Sequence, residues 1–355
     1  MSTSLAEKSQ MNESDVIKIA SDCLGQKVSA VSKIGRGANS KVYHVICSSQ
    51  EFVVKFYFQH PSDVRDRLGA EYKSFSFLRE QGINEVPKPV AISREHNCAF
   101  YEFIKGTPPG GDIFQKDIDG AVDFLEVLKN LSGKAQGLDF AVASEAFFCG
   151  EHIVNGLRNR LKCFAFEEKS NEYQALGQYL QNEFLPLLGS VETWSKEYLT
   201  SNGVEWGQEL LAEYRTLSPS DFGFHNALRT PKGSIVFLDF EYFGWDDPAK
   251  LVSDFLWHPA MNVSEELKKR FTNRMSTVFG KDSHFKIRLN AFSPLFGLKW
   301  CLIFLNEFIA TDLQRRDFAR PAINNRTALR LEQLAKARRM SKRIKANYKD
   351  FPYGC

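Results

Sequence analysis

The chain has 355 residues, of which 43% are hydrophobic and 25% are charged, and its formal net charge at pH 7 is +3. These values are ordinary for a soluble globular protein that is long enough to form two lobes, each with its own core. The seven cysteines show no paired spacing, so the sequence signals neither a disulfide framework nor a zinc site, which fits a reducing cytoplasm.

Neither a targeting signal nor a membrane span is predicted. The first fifteen residues, MSTSLAEKSQMNESD, are polar, contain no apolar run and are predicted to be disordered. The most apolar stretch, 295–309, carries Lys299, Asn306 and Glu307 and is too short to cross a bilayer, so we expect a buried helix there. We therefore predict a cytoplasmic protein without a transmembrane segment.

Residues 16–105 are predicted to form a small lobe of five strands and one inserted helix. Alternation of apolar and polar residues predicts strands at 31–34, 41–46, 51–57, 88–92 and 99–104. After the third strand, the sequence His-Pro-Ser at 60–62 is expected to open a helix. One face of that helix carries Leu68, Glu71, Phe75 and Leu78.

Residues 106–325 are predicted to form a larger, mainly helical lobe. The sequence GTPPGG at 106–111 breaks the strand pattern and indicates a linker or turn. Helices are expected to about residue 217, then a short strand pair at 227–229 and 234–238, and helices again from 248. Residues 326–355 are predicted to form a basic helix or tail.

A glycine-containing turn, IGRGANSKVY at 34–43, separates the first two predicted strands. Glycines at such a turn allow backbone N–H groups to approach phosphate oxygens closely, because no Cβ intervenes. An ordinary hairpin has the same pattern, so the motif alone leaves both interpretations open. The candidate nucleotide-binding residues of this turn are Gly35, Gly37, Asn39, Ser40 and Val42.

Lys55 ends the apolar run Phe-Val-Val of the third predicted strand. A lysine in this position has an apolar environment along its stem, and its ammonium group needs a phosphate or a carboxylate as partner. Glu71, on the inward face of the next helix, can supply the carboxylate. Either residue taken alone is more often a solvated surface charge.

Two acidic motifs flank the short strand pair: DFGFHN at 221–226 precedes it and LDFE at 238–241 follows it. A hairpin brings Asn226 and Asp239 side by side, with Asp221 one loop away. One carboxylate and one amide oxygen suit Mg²⁺, which binds few protein ligands besides phosphate and water. Asp221 is then available to orient and deprotonate an attacking hydroxyl.

The order of these motifs resembles the protein-kinase-like superfamily, and most closely its aminoglycoside phosphotransferase and choline kinase branch. In that branch the catalytic loop typically reads His-Gly-Asp-Leu-His-Pro-Gly-Asn, and the metal motif reads Ile-Asp-Phe-Glu or Ile-Asp-Trp-Asp. The resemblance covers residues 29–260 and is strongest over 218–254. It implies an α+β, two-lobed protein-kinase-like fold, whose smaller lobe is a five-stranded antiparallel sheet plus one helix and whose larger lobe is mainly helical.

The resemblance also implies an activity and a role for each motif residue. The activity is transfer of the γ-phosphate of ATP, with Mg²⁺, to a hydroxyl of a small substrate. Asp221 corresponds to the catalytic base, and Asn226, Asp239 and Glu241 correspond to metal contacts. Asp254 corresponds to a residue that supports the catalytic loop.

The remaining correspondences concern the nucleotide. Lys55 corresponds to the lysine that binds the α- and β-phosphates, with Glu71 as its ion-pair partner. The sequence YEFIKG at 101–106 corresponds to the hinge, in which Glu102 and Ile104 receive adenine through backbone hydrogen bonds.

One departure from the family pattern is Pro219, which stands where the family has a histidine two residues before the base. That histidine usually holds the catalytic loop beside the metal motif. Two functions therefore remain open: an active small-molecule kinase, and an inactive nucleotide-binding regulatory module.

Two spacings favour a small-molecule kinase over a protein kinase. Asp239 is followed within nine residues by Pro248, which leaves no room for the activation segment of a protein kinase. Conversely, 119 positions separate Glu102 from Asp221. The small-molecule branch builds its substrate pocket from such extra helical material.

The sequence leaves open whether the substrate is cationic or anionic. Residues 136–217 hold twelve Asp/Glu against six Lys/Arg, which suits a cationic acceptor, or is merely a solvated face. From Arg315 onward there are twelve Lys/Arg against three Asp/Glu, which suits an anionic partner, either a substrate or a surface. We expect a sugar, an amino sugar or an amino alcohol, and no obligatory nucleic acid. A third hypothesis is that the basic tail binds nucleic acid or a membrane surface.

Overall fold

Five strands in the N-terminal part of the chain pair into one antiparallel sheet. This computed structural model describes residues 12–35, 40–48, 50–60, 63, 65–110, 113–164, 170–319 and 325–350. The strands are β1 (Val28–Lys33), β2 (Ser40–Cys47), β3 (Glu51–Tyr57), β4 (Pro89–Ser93) and β5 (Cys98–Glu102). Their order in the sheet is β1-β2-β3-β5-β4, with every pair antiparallel. The five-stranded sheet predicted from the sequence is confirmed.

Two helices accompany the sheet, and both begin where a side chain caps them. Helix α1 (Glu13–Leu24) has a reciprocal cap, in which Asn12 accepts from the backbone of Asp15 at 2.9 Å while the Asp15 carboxylate accepts from the backbone of Asn12. Its buried residues are Val16, Ile19 and Ala20. The helix begins inside the stretch 1–15 that was predicted to be disordered, because this cap starts it at Glu13; residues 1–11 lie outside the described residues.

Helix α2 (Arg67–Glu80) follows β3. Asp66 caps it by accepting a hydrogen bond from the backbone of Gly69 at 2.9 Å, so the helix begins at Arg67 rather than at the predicted 60–62. The four residues predicted to share its inward face are all buried: Leu68, Glu71, Phe75 and Leu78. Helical spacing therefore placed Glu71 on the core side of α2.

The rest of the chain is mainly helical. Its helices are α3 (Gln115–Ala135), α4 (Gly150–Leu161), α5 (Asn171–Tyr179), α6 (Leu185–Ser201), α7 (Pro248–Trp257), α8 (Glu265–Val278), α9 (Phe285–Phe304), α10 (Ala310–Ala319) and α11 (Arg326–Asn347). The predicted strand pair is present as β7 (Ala227–Arg229) and β8 (Ile235–Phe237), which are antiparallel. A second pair was not predicted, because each strand has three residues: β6 (Thr216–Ser218) and β9 (Gly244–Asp246).

Internal contacts divide the chain into two units. The first comprises the described residues of Met1–Lys105 and Arg315–Ala322, and the second those of Gly106–Gln314 and Ile323–Cys355. The end of α10 therefore belongs with the sheet rather than with the helical part in which the sequence analysis placed it. The reason is Phe318, whose ring lies 4.5 Å from the Lys41 ammonium and 5.7 Å from the Phe58 ring.

Among the described residues, the segment Phe285–Phe308 is the one helical stretch that is long and apolar enough to cross a membrane. Within the protein, 83% of its apolar window is buried, as expected for a core helix. Lys299, Asn306 and Glu307, which interrupt its apolar sequence, are buried as well.

Candidate active site

Lys55 and Glu71 form a buried ion pair in the first unit. Lys55 lies in β3 between Val42 of β2 and Ala99 of β5. Its Nζ is 2.5 Å from Glu71 Oε2, and the two side chains are 7% and 3% exposed. Burial of an ammonium group is costly unless a partner is present, and α2 supplies that partner. The lysine and the glutamate predicted to pair are therefore brought together.

The glycine turn is described in part, since Gly37 and Asn39 lie outside the described residues. Gly35 donates its backbone N–H to the carbonyl of Val42 at 3.3 Å. A Cβ at Gly35 would lie 2.8 Å from the Val42 Cβ, so close packing between the strands requires glycine at this position. Ser40 is the first residue of β2, is buried, and pairs with Tyr57 of β3.

The predicted hinge residues follow the sheet's central strands. Glu102 ends β5, and its backbone N–H donates to the carbonyl of Lys88 at 2.9 Å. Its side chain accepts from the Lys88 backbone at 3.2 Å, so the carboxylate of Glu102 is used within the sheet. Phe103 stacks on His44 with ring centroids 4.0 Å apart, and Ile104 next to it is half-buried.

In the second unit, the loop after β6 carries Asp221, and a single 3-10 turn (Phe224–Asn226) ends it. Asn226 donates from Nδ2 to the backbone oxygen of Asp221 at 3.0 Å, with Asp221 Oδ2 at 3.4 Å. Since the amide nitrogen faces Asp221, the amide oxygen of Asn226 points away from it. A Cβ at Gly223 would lie 2.4 Å from the sulfur of Met261 and 2.9 Å from Nδ1 of His225, so a larger residue there would have to displace these side chains.

The β7–β8 hairpin brings Asn226 next to the acidic motif. Leu238 donates its backbone N–H to the carbonyl of Asn226 at 2.8 Å, and Asp239 follows directly. Asp239 has φ +66°, a left-handed conformation that is uncommon for a residue other than glycine and that clusters at functional sites. Glu241 is buried, at 2% exposed. The hairpin thus places Asp239 next to Asn226, as its spacing predicts, and Asn226 in turn contacts Asp221.

Two histidines that the sequence analysis did not select surround the carboxylate of Asp221. Nε2 of His225 is 3.1 Å from Asp221 Oδ1, and Nε2 of His258 is 3.4 Å from the same oxygen. Their rings stack with centroids 3.6 Å apart and planes inclined by 7°. A carboxylate only accepts hydrogen bonds, so the Nε2 atom that bonds to it carries the proton. Nothing in the local sequence around His258 signals this position, which depends on the path of α7.

The same three residues are close enough to suggest a metal site, but the ring geometry disfavours it. The lone pair of an imidazole nitrogen lies in the plane of the ring. Two stacked, nearly parallel rings therefore direct their lone pairs alongside each other rather than toward one ion. The contacts fit instead a hydrogen bond between His225 and the carboxylate, with the His258 ring stacked on His225 and its Nε2 3.4 Å from the same oxygen.

These neighbours set the ionisation of the site. Burial opposes the charge of Asp221, but the hydrogen bond and the charge of His225 outweigh it and hold the pKa of the carboxyl well below its usual range. Burial and the charge of His225 lower the pKa of His258 to about 4, although Asp221 acts in the opposite direction. At neutral pH, Asp221 is therefore an anion and His258 is neutral.

A buried lysine supports the loop where the family histidine is absent. Lys250 of α7 donates to Ser220 Oγ at 3.1 Å and lies 2.8 Å from Asp246 and 3.3 Å from Asp254. Burial disfavours its charge, but the charges of the two carboxylates outweigh burial and raise the pKa of Lys250. Ser220, which immediately precedes Asp221, also donates to the carbonyl of Ser144 at 2.9 Å. These contacts fix the loop without the histidine that Pro219 replaces.

Asp254 connects this support to the histidine pair. It accepts hydrogen bonds from Lys299 at 2.7 Å and from the Trp300 indole at 3.0 Å. The Trp300 ring packs edge-on against His258, with centroids 4.5 Å apart. Asp254 also contacts Lys250, which donates to Ser220 next to Asp221, so these contacts are compatible with the supporting role that the resemblance implies for Asp254.

A strand lysine paired with a helix glutamate, together with a loop Asp and Asn ahead of a second Asp, is the arrangement by which protein kinases position ATP and its acceptor. The fold of this chain, and the residues that each unit brings together, are accordingly those of a phosphotransferase with a protein-kinase-like fold.

The particular family follows from sequence. The model of a family described as the phosphotransferase enzyme family matches residues 30–276, which is more than half of the chain, and the chain belongs to that family. It is a phosphotransferase with an alcohol group as acceptor. No curated protein matches the chain by sequence.

Solved structures share the fold over nearly the whole chain. The choline kinase LicA from Streptococcus pneumoniae is 14% identical with a TM-score of 0.61, and the match covers 93% of this chain and 99% of that one. The spectinomycin phosphotransferase APH(9)-Ia, solved with ADP and spectinomycin, is 15% identical with a TM-score of 0.61, over 92% and 100% of the two chains. A choline kinase from Cryptosporidium parvum Iowa II is 14% identical with a TM-score of 0.54, over 94% and 97%. At these identities the similarity establishes the fold.

Proposed function

We propose that the chain transfers the γ-phosphate of ATP, in the presence of Mg²⁺, to a hydroxyl of a small acceptor such as a sugar, an amino sugar or an amino alcohol. The observation that carries this proposal is the environment of Asp221. Its carboxylate is ionised, surrounded by His225, His258 and Asn226, and still 34% exposed. An anionic oxygen that is held in place and remains accessible suits a group that receives the hydrogen of an acceptor hydroxyl.

In this mechanism Asp221 accepts a hydrogen bond from the acceptor hydroxyl and fixes its oxygen for attack on the γ-phosphorus. As the new O–P bond forms, the bond to the leaving ADP breaks and the hydroxyl proton passes to Asp221. The lowered pKa of Asp221 makes it a weak base, so its main contribution is orientation of the acceptor. His225 and His258 keep the carboxylate from rotating.

The residues present fit a magnesium ion. The amide oxygen of Asn226 faces away from Asp221, and Asp239 is held beside it in a strained backbone conformation. Hard oxygen ligands of this kind are those that Mg²⁺ prefers, so Asn226 and Asp239 would hold the ion and Glu241 is a candidate for a further contact. When bound, the ion neutralises charge on the phosphates.

The nucleotide is assigned to the first unit. Lys55, kept in position by Glu71, presents its ammonium group for the α- and β-phosphates, and the backbone of Glu102 and Ile104 is proposed to receive adenine. That the spectinomycin phosphotransferase was solved with ADP, and LicA with AMP, supports nucleotide binding by this fold. For the turn at 34–43, Gly35, Gly37, Asn39, Ser40 and Val42 remain the proposed phosphate contacts.

The test is transfer of labelled phosphate from ATP, with Mg²⁺, into a fractionated small-molecule extract, with products identified by mass spectrometry. Replacing Asp221 by Ala should lower turnover by about 10²- to 10⁴-fold while ATP still binds. The exposed Asp350, replaced in the same way, is the control. Turnover that survives in Asp221→Ala contradicts the mechanism. ATP binding without any product would instead favour a regulatory nucleotide-binding module, the function that Pro219 suggests.

A further inference from the structure

A pocket of about 570 Å³ lies between the loop after α7, helix α9 and helix α11, all within the second unit. Its apolar wall is made by Pro259, Phe304 and Met340, with Ala260 beside them. Lys336, Arg339 and Arg343 of α11 line the opposite side. We call it the α11 pocket. Its volume is within the range of about 300–1,000 Å³ that is typical of small-ligand sites.

The cations of the α11 pocket are only partly neutralised. Lys336 lies 2.7 Å from Glu332, and Arg343 lies 3.4 Å from Glu265. Glu265 is shared, because Lys268 also contacts it at 3.0 Å.

Arg339 supplies the excess positive charge. It is exposed, and the carboxylate that its charge acts on is Glu332, which Lys336 already contacts. The acidic groups named above are thus outnumbered by cations, and the pocket favours an anion. A guanidinium offers paired donors that match phosphate or carboxylate oxygens.

Two short connections link the α11 pocket to Asp221. Pro259 follows His258 directly in the chain, and His258 lies 3.4 Å from the Asp221 carboxylate. Phe304 lies one helical turn after Trp300, whose ring packs on His258. With 3.8 Å between consecutive Cα atoms and 5.4 Å per helical turn, these connections place the pocket within about 15 Å of the Asp221 carboxylate. A sugar with one acidic substituent can bridge the shorter separations within that limit.

We infer that the α11 pocket binds an acidic group of the acceptor, a phosphate or a carboxylate, while the acceptor's hydroxyl lies at Asp221. The natural acceptor is then an acidic sugar or a similar anionic polyol rather than an amine. The inference rests on the proposed function, and it assigns three of the twelve Lys and Arg residues from Arg315 onward to substrate recognition. The apolar wall contacts the carbon skeleton of the acceptor.

The first measurement is calorimetric binding of four sugars of similar size to the full chain: glucose, glucosamine, glucuronate and glucose 6-phosphate. We expect the two anionic sugars to bind at least about tenfold more tightly than the neutral and cationic ones, since a hydrogen bond to a charged group carries that much preference. Lys336→Gln and Arg339→Gln should each weaken anion binding by about 10- to 100-fold. Lys342→Gln, an exposed lysine of the same helix outside the pocket, should not.

The second measurement is phosphate transfer from ATP to the same four sugars. Arg339→Gln should raise KM for the anionic acceptor and leave KM for ATP unchanged. Preferred phosphorylation of glucose or glucosamine would overturn the inference and leave the proposed function intact. Anion binding through Arg339 without phosphorylation of any acceptor would overturn the acceptor assignment and count against the proposed function as well.

Three further results would also overturn the inference. One is equal binding of charged and neutral sugars. Another is that Lys342→Gln weakens anion binding as much as Arg339→Gln does, which would indicate general electrostatic attraction by the basic helix rather than a specific site. The third is Arg339-dependent binding to phosphatidylglycerol vesicles without binding of any sugar, which would assign the basic helix to a lipid surface. Melting temperatures of the variants establish that each one is folded.

Discussion

His258 lies at the end of α7, with its Nε2 3.4 Å from Asp221 Oδ1 and its ring stacked on His225 at 3.6 Å. Oδ1 of Asp221 is therefore close to two imidazoles, one from the loop that carries Asp221 and one from the end of α7. The other carboxylate oxygen, Oδ2, lies near the side-chain amide of Asn226. Trp300 of helix α9 packs edge-on against the His258 ring. Asp221 is consequently fixed by contacts that reach it from a distant part of the chain.

Replacement of His258 by Phe should lower kcat by about 3- to 10-fold and leave KM for ATP unchanged. Phe preserves the stacked ring but removes Nε2, whose 3.4 Å contact is at the limit of hydrogen-bond distance. Steady-state kinetics measure the effect, and His284→Phe, at an exposed histidine, is the control. An unchanged kcat would mean that His225 alone positions the carboxylate.

The stability of the protein should depend on pH through His258. The pKa of His258 is lowered to about 4 in the fold, against about 6.5 in the unfolded chain. The unfolded chain therefore binds more protons at this residue between these values, and the stability present above pH 6.5 is lost as the pH falls toward 4. The groups that face it are Asp221, His225, Asp254 and Lys299.

Urea unfolding at pH 7 and at pH 4.5 tests this dependence. Between the two values, the free energy of unfolding should fall by about 2 to 3 kcal/mol more in the native protein than in His258→Phe. Equal falls in both proteins would show that His258 does not remain neutral in the folded state.

Lys55→Met should lower the free energy of unfolding by about 3 to 5 kcal/mol, because it leaves the Glu71 carboxylate buried without its ammonium partner. The double variant Lys55→Met with Glu71→Gln should recover part of this loss, since the remaining group is uncharged. Neither variant should bind ATP with native affinity. Recovery of ATP affinity in the double variant would mean that Lys55 acts on stability alone.

Asp239→Gly should separate stability from activity. The left-handed backbone at Asp239 is strained for aspartate and not for glycine, so the free energy of unfolding should stay level or rise by up to about 1 kcal/mol. Phosphate transfer should fall by at least about 100-fold, because the proposed magnesium ligand is lost. Glu145→Gly, at an exposed residue with φ +54°, is the control and should keep full activity. Loss of stability with activity retained would contradict the assignment of Asp239.

Lys250→Met should destabilise the protein by about 3 to 5 kcal/mol, since Asp246 and Asp254 would remain buried without their shared cation. Activity should fall too, because Ser220 loses its donor next to Asp221. Chemical denaturation measures the first effect, with the exposed Lys345→Met as control. A change of less than about 1 kcal/mol would mean that Lys299 compensates alone for both carboxylates.

Features that depend on short stretches of chain were predictable. Alternation identified the sheet, and helical spacing placed Glu71 on the inward face of α2, where it meets Lys55. The hairpin between Asn226 and Asp239 is also local, so the sequence alone placed these two residues side by side. The cap at Asn12 is local as well. Residues 1–15 were nevertheless predicted to be disordered because they are polar, so the start of α1 at Glu13 was missed.

The support of Asp221 depends instead on how elements that are distant in the sequence pack together, and no local sequence pattern predicts that packing. The sequence determined the family, the paired Lys55 and Glu71, and the order of Asp221, Asn226 and Asp239, because each rests on a strand, a helix face or a hairpin of fixed period. Only the tertiary structure decided how Asp221 is held in the absence of the family histidine. Lys250 and His258 reach the loop because α7 packs against it and against α9, and burial then sets their charge. Burial and tertiary contacts arise only when distant parts of the chain pack together, so they cannot be predicted from the spacing of residues in the sequence.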